Sequence, residues 1–407
     1  MKSGRSSIKE ALPIVIASAL VALCNFISLP IIAHYFNNDE FSTYAGIISI
    51  QQAVTIIIAA TFGTSTIAVV LSDNTIENWR SCITTERFVC CIAAIIVLPV
   101  TYLIWPSIST LHYNFLLCLG ACIAILARPE GATSAIYRAN NNFLIPAIAV
   151  STTAILKLII TAALSYSGAK LEFIVIAQAI LDILVASYLL YNLGIISTII
   201  PRSLKYMNRE LIQRSKTLSP GNISDSLVSN LDRIIVGIVI SPTEVGNYHL
   251  LRKATGLMGI ITTPINQYLL PNLTKKNSTS RGLVSEINKI SKVMLALGTV
   301  GWTIAACFYD YYAPLIFPNA EDQKYQFLIL LALQVGATSF CAVHPAMIAS
   351  GKLKASTNIT VATNIIYVIL AFLLGHFFGM NGIIIAIGCQ FFFSITLKFL
   401  TLSTSNE

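Results

Sequence analysis

Residues 221–248 read GNISDSLVSNLDRIIVGIVISPTEVGNY, and residues 37–44 read NNDEFSTY. The shorter stretch echoes the end of the longer one: Glu40 and Tyr44 recur as Glu244 and Tyr248, about half a chain later. Each loop closes one long apolar run and opens another. A looser echo pairs SAIYRAN, Ser134 to Asn140, with PAMIASGK, Pro345 to Lys352. The identities are few, but they fall at matched points of two similar halves, and that position predicts an internal repeat.

Twelve hydrophobic segments follow from these anchors, at about 11–35, 43–71, 83–105, 113–137, 143–166, 173–200, 221–240, 247–271, 290–309, 325–349, 356–379 and 381–402. Each is long enough to cross hydrocarbon as a helix, which takes about 20 apolar residues. Segment 113–137 carries Arg128, Pro129 and Glu130 in its interior, which reads as a kinked span or an early loop. Composition agrees with the spans. Of 407 residues, 55% are apolar and 11% charged, whereas a soluble domain carries about 25% charged residues. A water-facing surface cannot be clothed with so few charges. A soluble enzyme, a disordered tail and a nucleic-acid-binding domain are thereby excluded, and the net charge of +8 does not mark a nucleic-acid partner. The nine cysteines form no CxxC and read as small apolar filler. No metal site is expected. The polar start MKSGRSSIKE precedes a long apolar run with no small-residue cleavage site, so the first span is expected to be uncleaved.

Lys and Arg set the orientation. With the N-terminus cytoplasmic, only Lys170 and Lys324 of the 26 Lys and Arg fall on the outer side, and Arg128, Lys157, Arg233, Arg252 and Lys253 lie within spans. Both termini are then cytoplasmic. The stretch PRSLKYMNRELIQRSKTLSP, residues 201–220, reads as a basic linker lying on anionic lipid. The predicted fold is an all-α integral membrane protein. About 12 transmembrane helices form two six-helix lobes related by pseudo-two-fold symmetry, residues 1–200 and 221–407. This is one of the repeat plans of secondary transporters.

Charged residues inside spans cost about 2.5–3.5 kcal/mol each on insertion scales, so they need partners or a wet cavity. In segment 221–240, Asn222, Asp225, Ser229 and Asp232 share one helical face, with Arg233 beside them. In the next segment Tyr248, Arg252 and Thr255 share a face. Lys157 and Asp182 sit in neighbouring spans. One reading makes Asp232–Arg233, Asp225–Arg252 and Lys157–Asp182 packing ion pairs. The other makes Arg128, Lys157, Arg233, Arg252 and Lys253 the cations that grip a phosphate-bearing head group. In it the acids Asp225, Asp232, Glu130 and Asp182 carry a coupling H⁺ or Na⁺. No cofactor motif, nucleotide loop or hydrolase signature occurs, so no ATP-driven step and no catalytic residue is expected.

The run Ser226 to Gly237 (SLVSNLDRIIVG), then Glu244-Val245-Gly246-Asn247-Tyr248, then Pro271-Asn272-Leu273-Thr274, resembles the polysaccharide flippases. These are the O-antigen and capsule repeat-unit translocases of the multidrug/oligosaccharidyl-lipid/polysaccharide exporter superfamily. Asp232, Gly237, Glu244, Gly246, Tyr248 and Pro271 carry the match. In the first half only Glu40 and Tyr44 keep the loop pattern, and Phe41-Ser42 replaces the usual apolar-Gly pair.

The resemblance implies a two-lobed helical bundle in the bacterial inner membrane. It would flip an undecaprenyl-diphosphate-linked oligosaccharide, the O-antigen or another repeat unit, from the cytoplasmic to the periplasmic leaflet. Its partners would be membrane lipid, the polysaccharide polymerase and the chain-length machinery. A cation-coupled multidrug exporter is the first rival, and the basic in-span residues argue against it. An integral membrane O-antigen polymerase is the second, and the short outer loops argue against that.

Overall fold

The computed structural model describes residues 4–403 except 128–130, 141, 199–206, 258–279, 318 and 319. Among the described residues all regular structure is helical. In chain order the helices are α1 (Gly4–Tyr35), α2 (Asn38–Ser72), α3 (Ile76–Ile108), α4 (Phe115–Ala127), α5 (Ala132–Ala139), α6 (Leu144–Tyr166) and α7 (Leu171–Asn192). They continue as α8 (Arg209–Val239), α9 (Glu244–Gly256), α10 (Ser280–Cys307), α11 (Tyr309–Ile316), α12 (Ala320–Ser339), α13 (Val343–Ala349) and α14 (Leu353–Ser403).

Among the described residues, nine segments are long and apolar enough to cross a membrane. The last, Lys354–Ser403, is two spans joined at Gly379, whose φ of 58° and ψ of −138° are non-helical. Only a residue without Cβ takes that conformation at little cost. α8 lies over the predicted span 221–240, and α9 covers the start of 247–271, of which 258–271 lies outside the described residues. The described helices fit a multi-pass membrane protein. The chain packs as two compact units, Met1–Ile234 and Ile235–Glu407. In the first, α1 packs on α6, α4 on α7, and α2 against α3, α4 and α5. In the second, α10 packs on α12, α12 on α14 and α13 on α14.

The repeated loops have a structural cause. Asn37 and Glu40 form a capping box at the start of α2: Glu40 N–H donates to Asn37 Oδ1 at 2.8 Å, and Asn37 N–H donates to Glu40 Oε2 at 3.2 Å. Glu244 lies in the first turn of α9, where its charge suits the positive end of the helix dipole. One turn on, Tyr44 and Tyr248 are both buried. The shared signature is an acid at a helix start followed by an aromatic anchor.

The fourth span of each half is broken. α4 ends at Ala127 and α5 begins at Ala132, while α12 ends at Ser339 and α13 begins at Val343. These breaks match the looser sequence echo. In the first unit the break is held from α3. The carboxylate of Glu86 accepts the Ala132 N–H with both oxygens, at 3.0 and 3.1 Å, and the guanidinium of Arg87 donates to the Leu126 carbonyl. An acid thus meets the N-terminus of α5 and a base meets the last turn of α4, each facing the favourable dipole end.

Counting Lys and Arg by side puts Arg80 and Arg87 with the inner-side charges around the start of the third span. α3 instead starts at Ile76, capped by Thr75, whose hydroxyl accepts the Asn78 N–H, and Arg87 is buried within it. Likewise α8 begins at Arg209, inside the stretch read as a linker, and runs unbroken through Pro220.

Gly131 is where the backbone turns, with φ of 96°, and a Cβ there would fall inside the Glu86 carboxylate. Gly131→Ala is therefore predicted to cost about 1–3 kcal/mol in backbone strain and the Glu86 cap as well. Gly168→Ala also has positive φ but open space around it, so it carries the strain alone. The thermal midpoint in detergent should fall further for Gly131→Ala. Equal shifts would mean that the cap contributes nothing.

Candidate transport cavity

A polar cavity lies inside the first unit. Asn25 of α1, Gln51 and Thr55 of α2, Thr153 and Lys157 of α6 and Asp182 of α7 line it, with a volume of about 150 Å³. At its wall Lys157 Nζ lies 2.7 Å from each oxygen of the Asp182 carboxylate. One turn along both helices, Gln178 Nε2 donates to Thr161 Oγ1 at 2.9 Å. The two contacts form a polar ladder across the antiparallel α6–α7 interface, built by i, i+4 spacing on each helix. The sequence singled out Lys157 and Asp182 as a pair; Thr161 and Gln178 escaped it, although their spacing from that pair was the available signal.

The two threonines in the lining turn their hydrogens inward. Thr55 Oγ1 donates to the Gln51 carbonyl at 2.8 Å, and Thr153 Oγ1 donates to the Ala149 carbonyl at 2.7 Å. Satisfying their hydrogens on their own helices leaves their oxygens as acceptors. The cavity is therefore rich in acceptors: one carboxylate, two hydroxyl oxygens and two side-chain amides.

A second charged pair sits where α8 meets α2. Asp232 and Arg233 are almost fully buried, with Arg233 Nε 3.8 Å from Asp232 Oδ1. Arg233 Nη1 also donates to Ser49 Oγ of α2 at 3.3 Å and to the Asn230 carbonyl at 3.2 Å. Two further bonds run down the same antiparallel contact: Ser226 Oγ to the Ala53 carbonyl at 2.9 Å and Ser215 Oγ to Ser65 Oγ at 3.2 Å. Ser226, Asn230, Asp232 and Arg233 are the buried polar residues of this part of α8. Of the expected stripe, Asp232 is buried, Ser229 is exposed, and the side chains of Asn222 and Asp225 lie outside the described residues.

Arg252 and Lys253 are half-buried on α9, one turn beyond the fully buried Tyr248. Thr255, on the face read for Tyr248 and Arg252, is buried and donates to the Leu251 carbonyl. Arg128 and Glu130 lie outside the described residues, as does the side chain of Asp225. The sequence missed Glu86. Its signal was an acid–base neighbour pair at the start of a span, opposite a span interrupted by proline.

The family model for polysaccharide biosynthesis proteins matches residues 40–317. Solved structures share the fold across nearly the whole chain. One described as the inward-facing conformation of a multidrug resistance MATE family transporter of the MOP superfamily is 14% identical, with a TM-score of 0.66 over 98% of this chain and 96% of its own. A Vibrio cholerae MATE transporter is 15% identical, with a TM-score of 0.62 over 98% and 95%. A MOP superfamily transporter from Pyrococcus furiosus is 12% identical, with a TM-score of 0.66 over 97% and 95%. Its description notes a binding pocket of reverse polarity and a different function. The curated proteins contain no match.

Burial assigns the Asp232–Arg233 pair a test. Removing one partner of a buried ion pair costs about 3–5 kcal/mol, whereas replacing both with apolar residues is often neutral. Arg233→Met should therefore lower the yield of folded protein sharply, and Asp232→Asn combined with Arg233→Met should recover much of it. Size-exclusion profiles and thermal midpoints in detergent report both. A double variant as unstable as the single would show that the two charges do not act as a pair.

Proposed function

The chain belongs to the polysaccharide biosynthesis protein family, and on that membership we propose that it is a flippase for a lipid-linked oligosaccharide. The cargo in this reading is an undecaprenyl-diphosphate-linked O-antigen or other polysaccharide repeat unit, moved from the cytoplasmic to the periplasmic leaflet of the bacterial inner membrane. The family match over 40–317 is the observation that carries it. The barrier is physical: a diphosphate and its sugars cannot enter hydrocarbon without losing hydration that nothing there replaces. A polar path exposed alternately to each side lowers that barrier while the lipid tail stays in the bilayer. No covalent chemistry is required of the protein.

Arg252 and Lys253, adjacent and half-buried on α9 one turn beyond the buried Tyr248, are assigned the diphosphate. Arg matches phosphate oxygens bidentately, and Lys adds a point charge. H⁺ or Na⁺ coupling through the in-span acids, cytoplasmic termini, and partnership with a polysaccharide polymerase and chain-length machinery complete the proposal. Drug export is the competing reading, favoured by the MATE fold of the structural neighbours.

A strain lacking this chain separates the readings. Lipid-linked repeat units should accumulate with none reaching the surface. Surface lipid carrying a single unpolymerised unit would mean a polymerase, and an unchanged glycan with new drug sensitivity would mean an exporter. A charged hydrogen bond contributes about 1.5–3 kcal/mol. Arg252→Gln with Lys253→Gln should therefore lower complementation about 10-fold or more. Lys170→Gln, at the outer end before α7, should complement fully.

A further inference from the structure

The small cavity of the first unit holds one carboxylate and a set of neutral acceptors, and one lysine reaches into it. We propose that this cavity is a monovalent-cation site whose resident cation is the Lys157 ammonium, so that free Na⁺ or K⁺ does not enter while the side chain is in place. Three observations carry the assignment. The ammonium lies 2.7 Å from both oxygens of Asp182, in the fork of the carboxylate where a cation sits. The hydroxyls of Thr55 and Thr153 donate to their own helices, which leaves lone pairs as what they can offer a cavity occupant. Asn25 and Gln51 complete the polar lining, and each can turn its amide oxygen inward.

The charge fixes the valence. One carboxylate balances one positive charge, whereas a divalent ion of the calcium type takes six to eight oxygens and usually several carboxylates. The lysine therefore neutralises Asp182 without an ion drawn from solution. Any Na⁺ coupling then resides elsewhere in the chain, and Asp182 becomes open to cations only when Lys157 is withdrawn or removed. This assignment does not depend on the cargo.

The experiment reads binding and not transport, so failure to flip a glycan leaves it untouched, and its own failure leaves the flippase reading untouched. The full-length protein is purified in detergent, and its thermal midpoint is followed while NaCl replaces choline chloride at constant ionic strength. The wild type should show no Na⁺-specific change. Lys157→Ala should show a saturable rise of at least about 2 °C, reproduced with KCl at its own affinity, and Lys157→Ala with Asp182→Asn should lose it. If Lys157→Ala is aggregated in every salt, Lys157→Met is read in the same way, since its unbranched chain keeps the packing of the lysine methylenes. A saturable Na⁺ response in the wild type that Asp182→Asn abolishes would overturn the proposal, because Asp182 would then be open to free cations. Folded lysine variants with no response to either salt would overturn it too, because the cavity would then be no cation site.

Discussion

Hydrocarbon offers backbone groups no hydrogen-bond partners, so every interruption of a spanning helix must be satisfied by the protein itself. The break between α4 and α5 is where this constraint acts most visibly. Four N–H groups and four carbonyls open at each pair of helix ends. Two consecutive residues of α3 meet them with matched charge: Glu86 takes the Ala132 N–H, and Arg87 reaches the Leu126 carbonyl. Gly131 gives the acid room to do so. The same constraint explains why so many hydroxyls within the spans donate to their own helices. Ser49, Thr55, Ser65 and Thr153 each donate to a carbonyl four residues back. Their hydrogens are satisfied locally, and their oxygens stay available to neighbours such as Arg233 and Ser215.

Charges inside the spans follow a related rule. Six described ones have an opposite charge beside them or meet a helix end. Lys157 meets Asp182, Arg233 meets Asp232, and Glu86 and Arg87 meet helix termini. Burial then sorts them by what they can do. Asp232 and Arg233 are almost fully buried, and Arg233 reaches Ser49 of α2. Lys157 and Asp182 face a cavity and keep partial exposure, with side chains 24% and 13% accessible. A pair that touches a cavity can exchange partners; a sealed pair can do so only if the helices part.

The span count, the two-unit plan and the Lys157–Asp182 pair were legible in the sequence because they rest on composition and on spacing. Twenty apolar residues make a span whatever packs against them, and an acid opposite a base in neighbouring spans is a small search. The buried polar residues of α8 were less legible. Asp232 falls on the stripe read from spacing, but Ser226, Asn230 and Arg233 do not, and Ala53 and Ser49 of α2 partner Ser226 and Arg233. Glu86 was missed and Arg87 was counted with the inner-side charges for a similar reason: their partners are backbone groups of another span. Sequence periodicity records which side chains share a face, but it does not record which backbone groups have lost their partners.

The residues that recur between the two halves and the residues that line the cavity of the first unit are also different sets. Glu40, Tyr44, Glu244 and Tyr248 recur because each half needs a capped second helix anchored by a buried ring, a requirement of folding that both halves share. Lys157 and Asp182 have no counterpart in that repeat, and neither do Glu86 and Arg87. Folding demands act on both halves alike and so preserve the symmetry, whereas a cavity with one carboxylate and one ammonium needs to exist only once. The Lys157–Asp182 cavity is therefore a departure from the repeat that lies within the first unit.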